Sequence, residues 1–366
     1  MSEREPHTHI RACFYTSSSS WTNHQRWPYE VGRELFDRGY SVEILTNPRG
    51  RLYAKGKRYG LIVKKFKKSG FLPADILNLA RRLRRDHITT LFLNYPGDLK
   101  TGALAARLAR VKNVVFRRGT VSSVRKNPMN RWILKRLVTT VITNSEANKR
   151  WMLHSKGNMF QPESTRVIYN GLSVSGKRAT SASAYDYRNN GELMVGVMTG
   201  DVHPSRFLSL FELIRREDKE EAARFRFLIH GNGQLIRSIK HKLKGNPELQ
   251  KMLVWDSRSR NLVEFMNSID VFVTGNTSNG FNHPLMYAMA RYKPVIAYDE
   301  GSNPEIIRNH ETGYLLNKGD VRGVKEKLDL LLDKELRLRL GKEARRRLEQ
   351  QFNAEHAIDQ MEALLK

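Results

Sequence analysis

Cysteine, long apolar runs and acidic residues are scarce in this 366-residue sequence, and each scarcity excludes a class of protein. The single cysteine, Cys13, excludes an intramolecular disulfide and fits a reducing compartment, where we expect it to be a buried small hydrophobe. No segment has the apolar length to span a bilayer, and residues 1–10 are too polar for a signal peptide. No Cys/His ligand spacing or Asp-x-Asp pattern is present, so we expect neither a metal nor a cofactor. The sequence therefore indicates a cytoplasmic protein.

Basic residues are in large excess, and they are concentrated in the first half of the chain. The formal net charge is +27; residues 1–171 hold 33 Lys and Arg against 11 Asp and Glu, whereas the remainder holds 31 against 26. Such asymmetry predicts a polyanionic partner, which would be membrane lipid headgroups, a phosphorylated glycan or nucleic acid. The alternative is a basic surface that only keeps the protein soluble.

One segment of the first half interleaves cations with aromatic rings. Residues 49–71 place Lys and Arg between Tyr53, Tyr59, Phe66 and Phe71, and residues 81–85 read RRLRR. Rings at headgroup depth with cations on phosphates would suit an anionic membrane surface. The same composition would suit single-stranded nucleic acid, whose bases stack on aromatic rings. Composition alone leaves both partners open.

Short apolar runs alternate with helical periodicities along the chain, which predicts an α/β protein of two ordinary-sized domains. Residues 270–316 show the pattern: strand 270–274, a polar loop, helix 284–291, strand 294–298 and a second polar loop before a short helix. Both strands are apolar without alternation, as in a parallel sheet covered on both faces. Each loop would lead to a helix amino terminus that favours phosphate, although any doubly wound sheet has such turns.

The same stretch resembles the signature of retaining, GT-B-fold glycosyltransferases of the family 4 (group 1) type, which use nucleotide-sugar donors. The matching positions are Gly280, Phe281, Pro284, Ala288, Met289, Ala290, Pro294, Val295, Ile296, Ala297, Gly301, Glu305, Ile306, Ile307, Gly313, Leu315 and Leu316. The resemblance implies two Rossmann-like domains with doubly wound parallel sheets facing across a cleft. We expect an acceptor-side domain at 1–172, a linker at 173–192, a nucleotide-sugar domain at 193–350 and a terminal helix at 351–366 that crosses back to the first domain.

Both glutamates of that signature are missing. In the family one lies near the donor sugar and diphosphate and the other holds the ribose hydroxyls; here these positions are Asn279 and Tyr287. An arginine and a lysine of the family clamp the diphosphate, and here Asp201 and Arg206 take their places. The donor-binding residues that the resemblance implies are Gly200, Arg206, Gly231, Asn279, Gly280, Phe281, Asn282, His283, Pro284 and Tyr287.

In the first domain the family has a glycine-rich loop that faces the donor phosphates and the acceptor. Ser17–Ser20, Asn23 and His24 replace its glycines, before a helix predicted at residues 28–38. Arg118 takes the position of a histidine near the transferred sugar. The resemblance therefore places Ser19, Ser20, Asn23, His24 and Arg118 on the acceptor side of the cleft. No protein nucleophile is nominated, and the catalytic candidates are Arg118, Asn279 and His283.

The resemblance implies a retaining, metal-independent glycosyltransferase that moves a sugar from a nucleotide sugar to an anionic or lipid-linked glycan, such as lipopolysaccharide or another polysaccharide. Because the first domain of the fold receives the acceptor, we favour peripheral contact with the anionic inner membrane face over nucleic acid. The missing glutamates motivate an alternative, a catalytically degenerate GT-B protein that binds a glycan or a partner. Charge alone motivates a nucleic-acid-associated protein.

Overall fold

The computed structural model describes residues 7–66, 72–119, 124–155, 159–173, 187, 191–198, 209–214, 223–231, 233–245, 247–259, 261–275 and 281–365. The chain forms two compact units, one made of Met1–Asn170 with Glu355–Lys366 and the other of Gly171–Ala354. The segment predicted to be the linker lies almost entirely outside the described residues.

The first unit contains one parallel sheet with helical crossovers. Its strands are β1 (His7–Thr16), β2 (Tyr40–Thr46), β3 (Ile62–Lys65), β4 (Thr90–Leu93), β5 (Asn113–Arg118), β6 (Thr140–Thr143) and β7 (Thr165–Val167). Its helices are α1 (Asn23–Asp37), α2 (Arg51–Tyr59), α3 (Pro73–Arg85), α4 (Leu99–Ala109), α5 (Pro128–Arg136) and α6 (Glu146–Ser155), with a 3₁₀ turn at Pro96–Asp98. The strand order is β3-β2-β1-β4-β5-β6-β7, so the order reverses between β1 and β4 and leaves a crevice at their carboxyl ends.

Strand β1 is the centre of this sheet because it carries a continuous run of apolar residues. Ala12, Cys13, Phe14 and Tyr15 are each at most 1% exposed. The ring of Phe14 stacks on Phe92 of β4, with 4.7 Å between the ring centroids. A strand covered by helices on both faces needs apolar side chains on both faces, which explains the lack of alternation. The prediction that Cys13 is buried is confirmed.

Helix α1 begins at Asn23, five residues before the predicted start. The Thr22 side chain accepts a hydrogen bond from the backbone N–H of His24 at 3.4 Å and caps the helix. Asn23 and His24 therefore lie in the first helical turn, and the prediction that they belong to a loop is wrong. Pro28 was misleading because proline favours the first turn of a helix, whereas here it lies inside α1.

The second unit contains a six-stranded parallel sheet. Its strands are β8 (Leu193–Met198), β9 (Phe225–His230), β10 (Leu253–Trp255), β11 (Val271–Thr274), β12 (Val295–Tyr298) and β13 (Gly313–Leu316). The described helices are α7 (Gly233–Lys242), α8 (Pro247–Lys251), α9 (Leu262–Asn267), α10 (His283–Ala290), α11 (Asn303–Ile306), α12 (Val321–Leu330) and α13 (Lys334–Gln351). The order β10-β9-β8-β11-β12-β13 reverses between β8 and β11, so the predicted pair of doubly wound Rossmann-like sheets is confirmed.

The last helix, α14 (Ala354–Glu362), packs with the first unit. The Tyr40 hydroxyl donates to the Glu362 carboxylate at 2.7 Å, and Arg38 donates to the same carboxylate at 3.0 Å. Ile358 and Met361 join the apolar cluster beneath α1 and β2. None of the helices in the described ranges is both long and apolar enough to cross a membrane.

Candidate active site

The loop after β1 is fixed to the segment after β4 at the crevice of the first unit. The backbone N–H of Ser17 donates to Asp98 Oδ2 at 2.7 Å, and the Ser17 hydroxyl donates to Asp98 Oδ1 at 2.6 Å. Asp98 is fully buried, so this carboxylate is satisfied inside the protein. Ser19 and Ser20 follow in the same loop and are exposed. The structure thus places the two predicted serines on a fixed loop at the crevice.

Gln25 of α1 holds the same loop from its other side. Its Nε2 donates to the backbone carbonyl of Ser18 at 2.6 Å, and its Oε1 accepts from the Leu52 N–H at 3.3 Å. Gly50 leaves the space for this amide, since a Cβ at position 50 would lie 2.0 Å from Gln25 Nε2. The buried glutamine therefore ties the loop after β1 to the beginning of α2.

His24 lies beside the crevice with one ring nitrogen committed. Its Nδ1 lies 3.1 Å from the backbone carbonyl of Asn94, and its ring meets the edge of Tyr95 at 5.1 Å between centroids. A carbonyl only accepts, so this bond favours the tautomer with hydrogen on Nδ1 and a lone pair on Nε2. Burial lowers the pKa of His24 against the opposing effect of the Asn94 bond, and the charges of Arg117 and Arg118 lower it further. His24 is therefore neutral at pH 7.

Arg117 and Arg118, called here the arginine pair, end strand β5 and are 4% and 3% exposed. Arg117 donates to Asn94 Oδ1 at 3.2 Å and to Asn170 Oδ1 at 2.8 Å, and its guanidinium lies 4.7 Å from the centroid of the Trp27 ring. Burial lowers the pKa of each arginine to about 10. Both guanidiniums therefore keep their charge at neutral pH.

Among the described residues, Arg117 donates its hydrogen bonds to neutral groups and not to a carboxylate. Both of its hydrogen-bond acceptors within the described ranges are amide oxygens, and the carboxylate whose charge raises its pKa is that of Glu30 on α1. A buried cation stabilised by amides and a ring retains a field that attracts an anion.

Two asparagines fix the backbone that follows the arginine pair. Asn148 Nδ2 donates to the carbonyl of Arg118 at 2.8 Å, and Asn144 Nδ2 donates to the carbonyl of Gly119 at 2.9 Å. A Cβ at position 119 would lie 2.5 Å from Arg117 Nη1, so glycine lets the guanidinium pass close to the main chain. The segment at the end of β5 is therefore positioned by side-chain amides.

In the second unit, Asn282 joins the loops that follow β11 and β12. Its backbone N–H donates to the Ser302 hydroxyl at 3.2 Å, and its Nδ2 donates to Asn303 Oδ1 at 3.0 Å. Asn303 in turn donates to the carbonyl of Tyr298 at 2.9 Å. Asn282 is 1% exposed, and its Oδ1 has no hydrogen-bond partner among the described residues. Its side chain therefore fixes the loops in front of helix α10.

His283 and Pro284 form the first turn of α10, at the carboxyl end of β11. The His283 ring lies 5.6 Å from Phe281, which is 7% exposed and packs against Phe352 at 5.9 Å between centroids. Tyr287 lies one turn further along α10 and is half-buried. The structure thus brings Phe281, His283 and Pro284 together at a helix amino terminus, where backbone N–H groups favour an anion.

Four of the predicted donor-site residues, Gly200, Arg206, Asn279 and Gly280, lie outside the described residues, and their roles remain predictions. Gly231 directly follows β9 and is exposed. Its neighbour His230 belongs to a buried network that the sequence did not reveal.

That network surrounds the carboxylate of Asp256, beyond the end of β10. His230 Nδ1 lies 2.7 Å from Asp256 Oδ2, while the Tyr187 hydroxyl and the Ser259 N–H donate to Oδ1 at 3.1 and 3.0 Å. Burial alone would raise the pKa of Asp256, but the bonds from His230, Ser259 and Tyr187 outweigh burial and hold the pKa well below its ordinary value. The His230 ring packs 4.9 Å from Phe265.

The sequence interpretation missed Asn94, Asp98, Arg117 and Asp256. A signal existed for the first two, because polar residues directly after an apolar strand lie at the ligand-binding edge of a doubly wound sheet. Arg117 adjoins the predicted Arg118, but the resemblance pointed only to the second arginine. No sequence pattern pairs Asp256 with His230, because His230 ends β9 whereas Asp256 follows β10.

Comparison with known proteins decides the family. The model of the glycosyl transferases group 1 matches residues 188–347, and that of Glycosyltransferase Family 4 matches residues 25–175. The chain is a glycosyltransferase of the GT-B fold. Together the two family models cover this glycosyltransferase except for residues 1–24, 176–187 and 348–366. The resemblance found in the sequence is therefore confirmed over both halves of the chain.

One curated relative and two solved structures cover the glycosyltransferase at nearly full length. It is 23% identical over 355 residues to N-acetyl-alpha-D-glucosaminyl L-malate synthase of Bacillus anthracis, covering 92% of this chain and 91% of the relative. Its fold is similar to a glycosyltransferase of Rickettsia africae ESF-5, with TM-score 0.82, 15% identity and 98% coverage of both chains. It is also similar to Anabaena Alr3699/HepE in complex with UDP, with TM-score 0.77, 15% identity and coverage of 97% and 99%.

Proposed function

We propose that this glycosyltransferase moves a sugar from a UDP-sugar to an anionic acceptor, a glycan or lipid-linked glycan, at the cytoplasmic face of a membrane. The observation that carries the proposal is the arrangement of His24 and Arg117 on one residue, Asn94, beside the second buried cation, Arg118. The transfer retains the anomeric configuration and needs no metal, as the family resemblance implies.

The donor would bind at the carboxyl edge of the second unit. Helix α10 begins there with His283 and Pro284, and Asn282 fixes the two loops before it. The N–H groups of that first turn would neutralise a leaving diphosphate, with the predicted Arg206 as a side-chain cation. We propose UDP as the nucleotide of the donor because the similar Anabaena structure contains UDP.

The acceptor would bring its negative charge to the arginine pair. A cation buried among amides attracts an anionic group more strongly than an exposed one, because water screens it less. The full-length relative from Bacillus anthracis is named for L-malate, a dicarboxylate. An acceptor carboxylate or phosphate at Arg117 and Arg118 would fix its orientation, and a guanidinium suits such a group because it donates in a bidentate geometry.

His24 would orient the acceptor hydroxyl. Its Nδ1 is bound to the carbonyl of Asn94, so Nε2 is the nitrogen able to accept a hydrogen bond from that hydroxyl. Burial, helped by the charges of the two arginines, lowers the pKa of His24 and keeps the ring neutral, which preserves this lone pair at pH 7. An oriented hydroxyl close to the anomeric carbon lowers the entropic part of the barrier.

Membrane contact would use the outer surface of α1, α2 and β3. Lys55 lies over the rings of Trp21 and Tyr29 at 4.8 and 5.5 Å, and Ile62 is 52% exposed. Cations beside aromatic rings, with an exposed aliphatic side chain, suit the boundary between headgroups and acyl chains of an anionic bilayer. Nucleic acid remains the less favoured partner of the same surface.

Thermal unfolding against UDP, GDP, ADP, CMP and dTDP tests the donor. A nucleotide at about 100 times its Kd adds roughly 2.7 kcal/mol and shifts the midpoint by a few degrees in a chain of this size. We expect UDP to give the shift, with and without EDTA, and mass spectrometry to find a sugar transferred to L-malate or a phosphorylated glycan. No shift from any nucleotide in a folded sample would favour the catalytically degenerate alternative, which Asn279 and Tyr287 motivate.

A further inference from the structure

Helix α5 of the first unit presents a basic surface that the proposed catalytic chemistry does not use. The helix is capped by Asn127, whose Oδ1 accepts from the Asn130 N–H at 2.7 Å, and Asn130 donates to the carbonyl of Arg125 at 2.8 Å. Ile133 and Leu134 face the core and are at most 2% exposed. The helix is therefore anchored on its inner side, and its outer side is available to a ligand.

A groove of about 490 Å³ runs along that outer side, which we call the α5 groove. It is lined by Lys126, Asn127, Pro128, Arg131, Trp132, Lys135, Arg136 and Met159. This volume falls in the range of small-ligand sites and fits one or two sugar rings. A concave site of this size suits a chain molecule better than the flat surface of a bilayer.

The charge of the α5 groove is of one sign. Four of its lining residues are cations, none of the described residues that line it is acidic, and none of the four forms an ion pair with a carboxylate in the described parts of the chain. Arg131 and Lys135 are four residues apart on the helix, where like charges repel each other. An anionic ligand would remove that repulsion.

Trp132 adds an aromatic ring to these cations. Its side chain is 50% exposed, and it lies three and four residues before Lys135 and Arg136, so the three share one face of the helix. An indole covers the C–H face of a sugar ring well, whereas a cation reaches a charged substituent on that ring. The combination recognises a sugar that carries an acidic group.

We propose that the α5 groove binds an anionic sugar chain, phosphorylated, sulfated or carboxylated, through residues other than those proposed to bind the transferred sugar. The choice of a sugar as ligand rests on the proposed function. Trp132 covers one ring, and Lys126, Arg131, Lys135 and Arg136 bind acidic groups on neighbouring rings. The groove would hold the remote part of the acceptor and favour long anionic chains over short ones.

The test measures binding of fluorescein-labelled dextran sulfate to the full chain by anisotropy, at several salt concentrations. Trp132→Ala and the double variant K135Q/R136Q are each expected to weaken binding about tenfold. The control variant R107Q/R110Q removes the same charge from exposed positions at the carboxyl end of α4 and should change binding less than twofold. Trp132→Tyr keeps a ring and should retain most of the affinity, which guards against loss of folding in the alanine variant.

Inorganic polyphosphate and unsulfated dextran separate the ring from the charge. Trp132→Ala should leave polyphosphate binding unchanged, because polyphosphate has no sugar ring, and unsulfated dextran should bind at least tenfold more weakly than dextran sulfate. The proposal would be overturned by an equal loss of binding in R107Q/R110Q or by no effect of Trp132→Ala on dextran sulfate. Preferential binding of phosphatidylglycerol vesicles or single-stranded DNA at this groove would also overturn it. The nucleotide shifts are measured on the same samples, so loss of donor binding with an intact groove would contradict only the proposed function.

Discussion

Arg117 donates from Nη1 to Oδ1 of Asn94 across 3.2 Å. The backbone carbonyl of Asn94 bonds His24, so one residue at the end of β4 positions both a cation and a ring nitrogen. Replacing Asn94 by alanine should leave the His24 bond and remove the Arg117 bond. We expect stability to fall by about 1–3 kcal/mol because a buried charged donor loses its acceptor. Steady-state kinetics should show a higher acceptor KM than wild type and an unchanged donor KM; a selective rise in donor KM would contradict this arrangement.

Replacing Arg118 by glutamine should weaken binding of an anionic acceptor. Loss of one charge-assisted hydrogen bond corresponds to about 1.5–3 kcal/mol, roughly a 10- to 150-fold rise in acceptor KM. UDP affinity, measured by calorimetry, should stay unchanged. Arg107→Gln on the exposed side of α4 removes the same charge and serves as the matched control. If both variants raise the acceptor KM equally, the effect belongs to the general basic surface.

The lowered pKa of His24 predicts an acid limb in the rate profile. The imidazole is neutral above its folded-state pKa, which lies below the ordinary value of 6.5, and it loses the Nε2 lone pair as the pH falls through that pKa. We expect kcat/KM of the wild type to decline on the acid side of pH 6.5, as the pH falls through the lowered pKa of His24. His24→Gln should be slower at pH 7 and should lack this decline, while an identical acid limb in both proteins would assign it to another group.

Asp256 predicts a pH dependence of stability in the second unit. Its folded-state pKa is depressed, so its ionised form stabilises the fold above the unfolded value of about 3.9, and the contribution is lost as the pH falls towards the folded-state pKa. Asp256→Asn should cost about 1.5–3 kcal/mol at pH 7, measured by urea unfolding. That difference from the wild type should shrink below about pH 4. Asp299→Asn, at an exposed position, should show neither effect.

Gly50 is predicted to matter through Gln25. An alanine Cβ would lie 2.0 Å from Gln25 Nε2, which would displace the amide from the Ser18 carbonyl and the Leu52 N–H. We expect Gly50→Ala to destabilise the protein by about 1–3 kcal/mol. In the Gln25→Ala background the same change should cost much less, because the clash is absent. Additive losses in denaturant unfolding would show that Gly50 acts on something else.

The sequence predicted the sheets well because buried strands leave a direct signal. The strands predicted at 270–274 and 294–298 each begin one residue later in the structure, at Val271 and Val295. The predicted start of α1 lies five residues too late because a proline such as Pro28 favours the first turn of a helix. Thr22 is the actual N-cap, and this becomes evident only from the geometry of its side chain. The site was predicted less completely. Contacts such as Ser17 with Asp98, 81 residues apart, depend on strand order, which no local pattern encodes.

The role of Asn282 could not be assigned from the sequence for a different reason. The resemblance implies that it binds the donor, whereas the structure commits its amide to Asn303 and its N–H to Ser302. The partners of a side chain must be known before its role can be assigned. Its role towards the donor stays a prediction.

Helix α14 gives the first unit a core that is not contiguous in the chain. Ile358, Met361, Leu364 and Leu365 complete the apolar cluster around β1 and β2, although more than 180 residues of the second unit lie between them and Asn170. The ribosome synthesises the chain from its amino end, so most of the first unit is made before the second. The core of the first unit nevertheless stays incomplete until α14 has been synthesised. The second unit would finish folding while that apolar surface is still uncovered. The order in which the two cores are completed would then be the reverse of the order in which the two units begin to be synthesised.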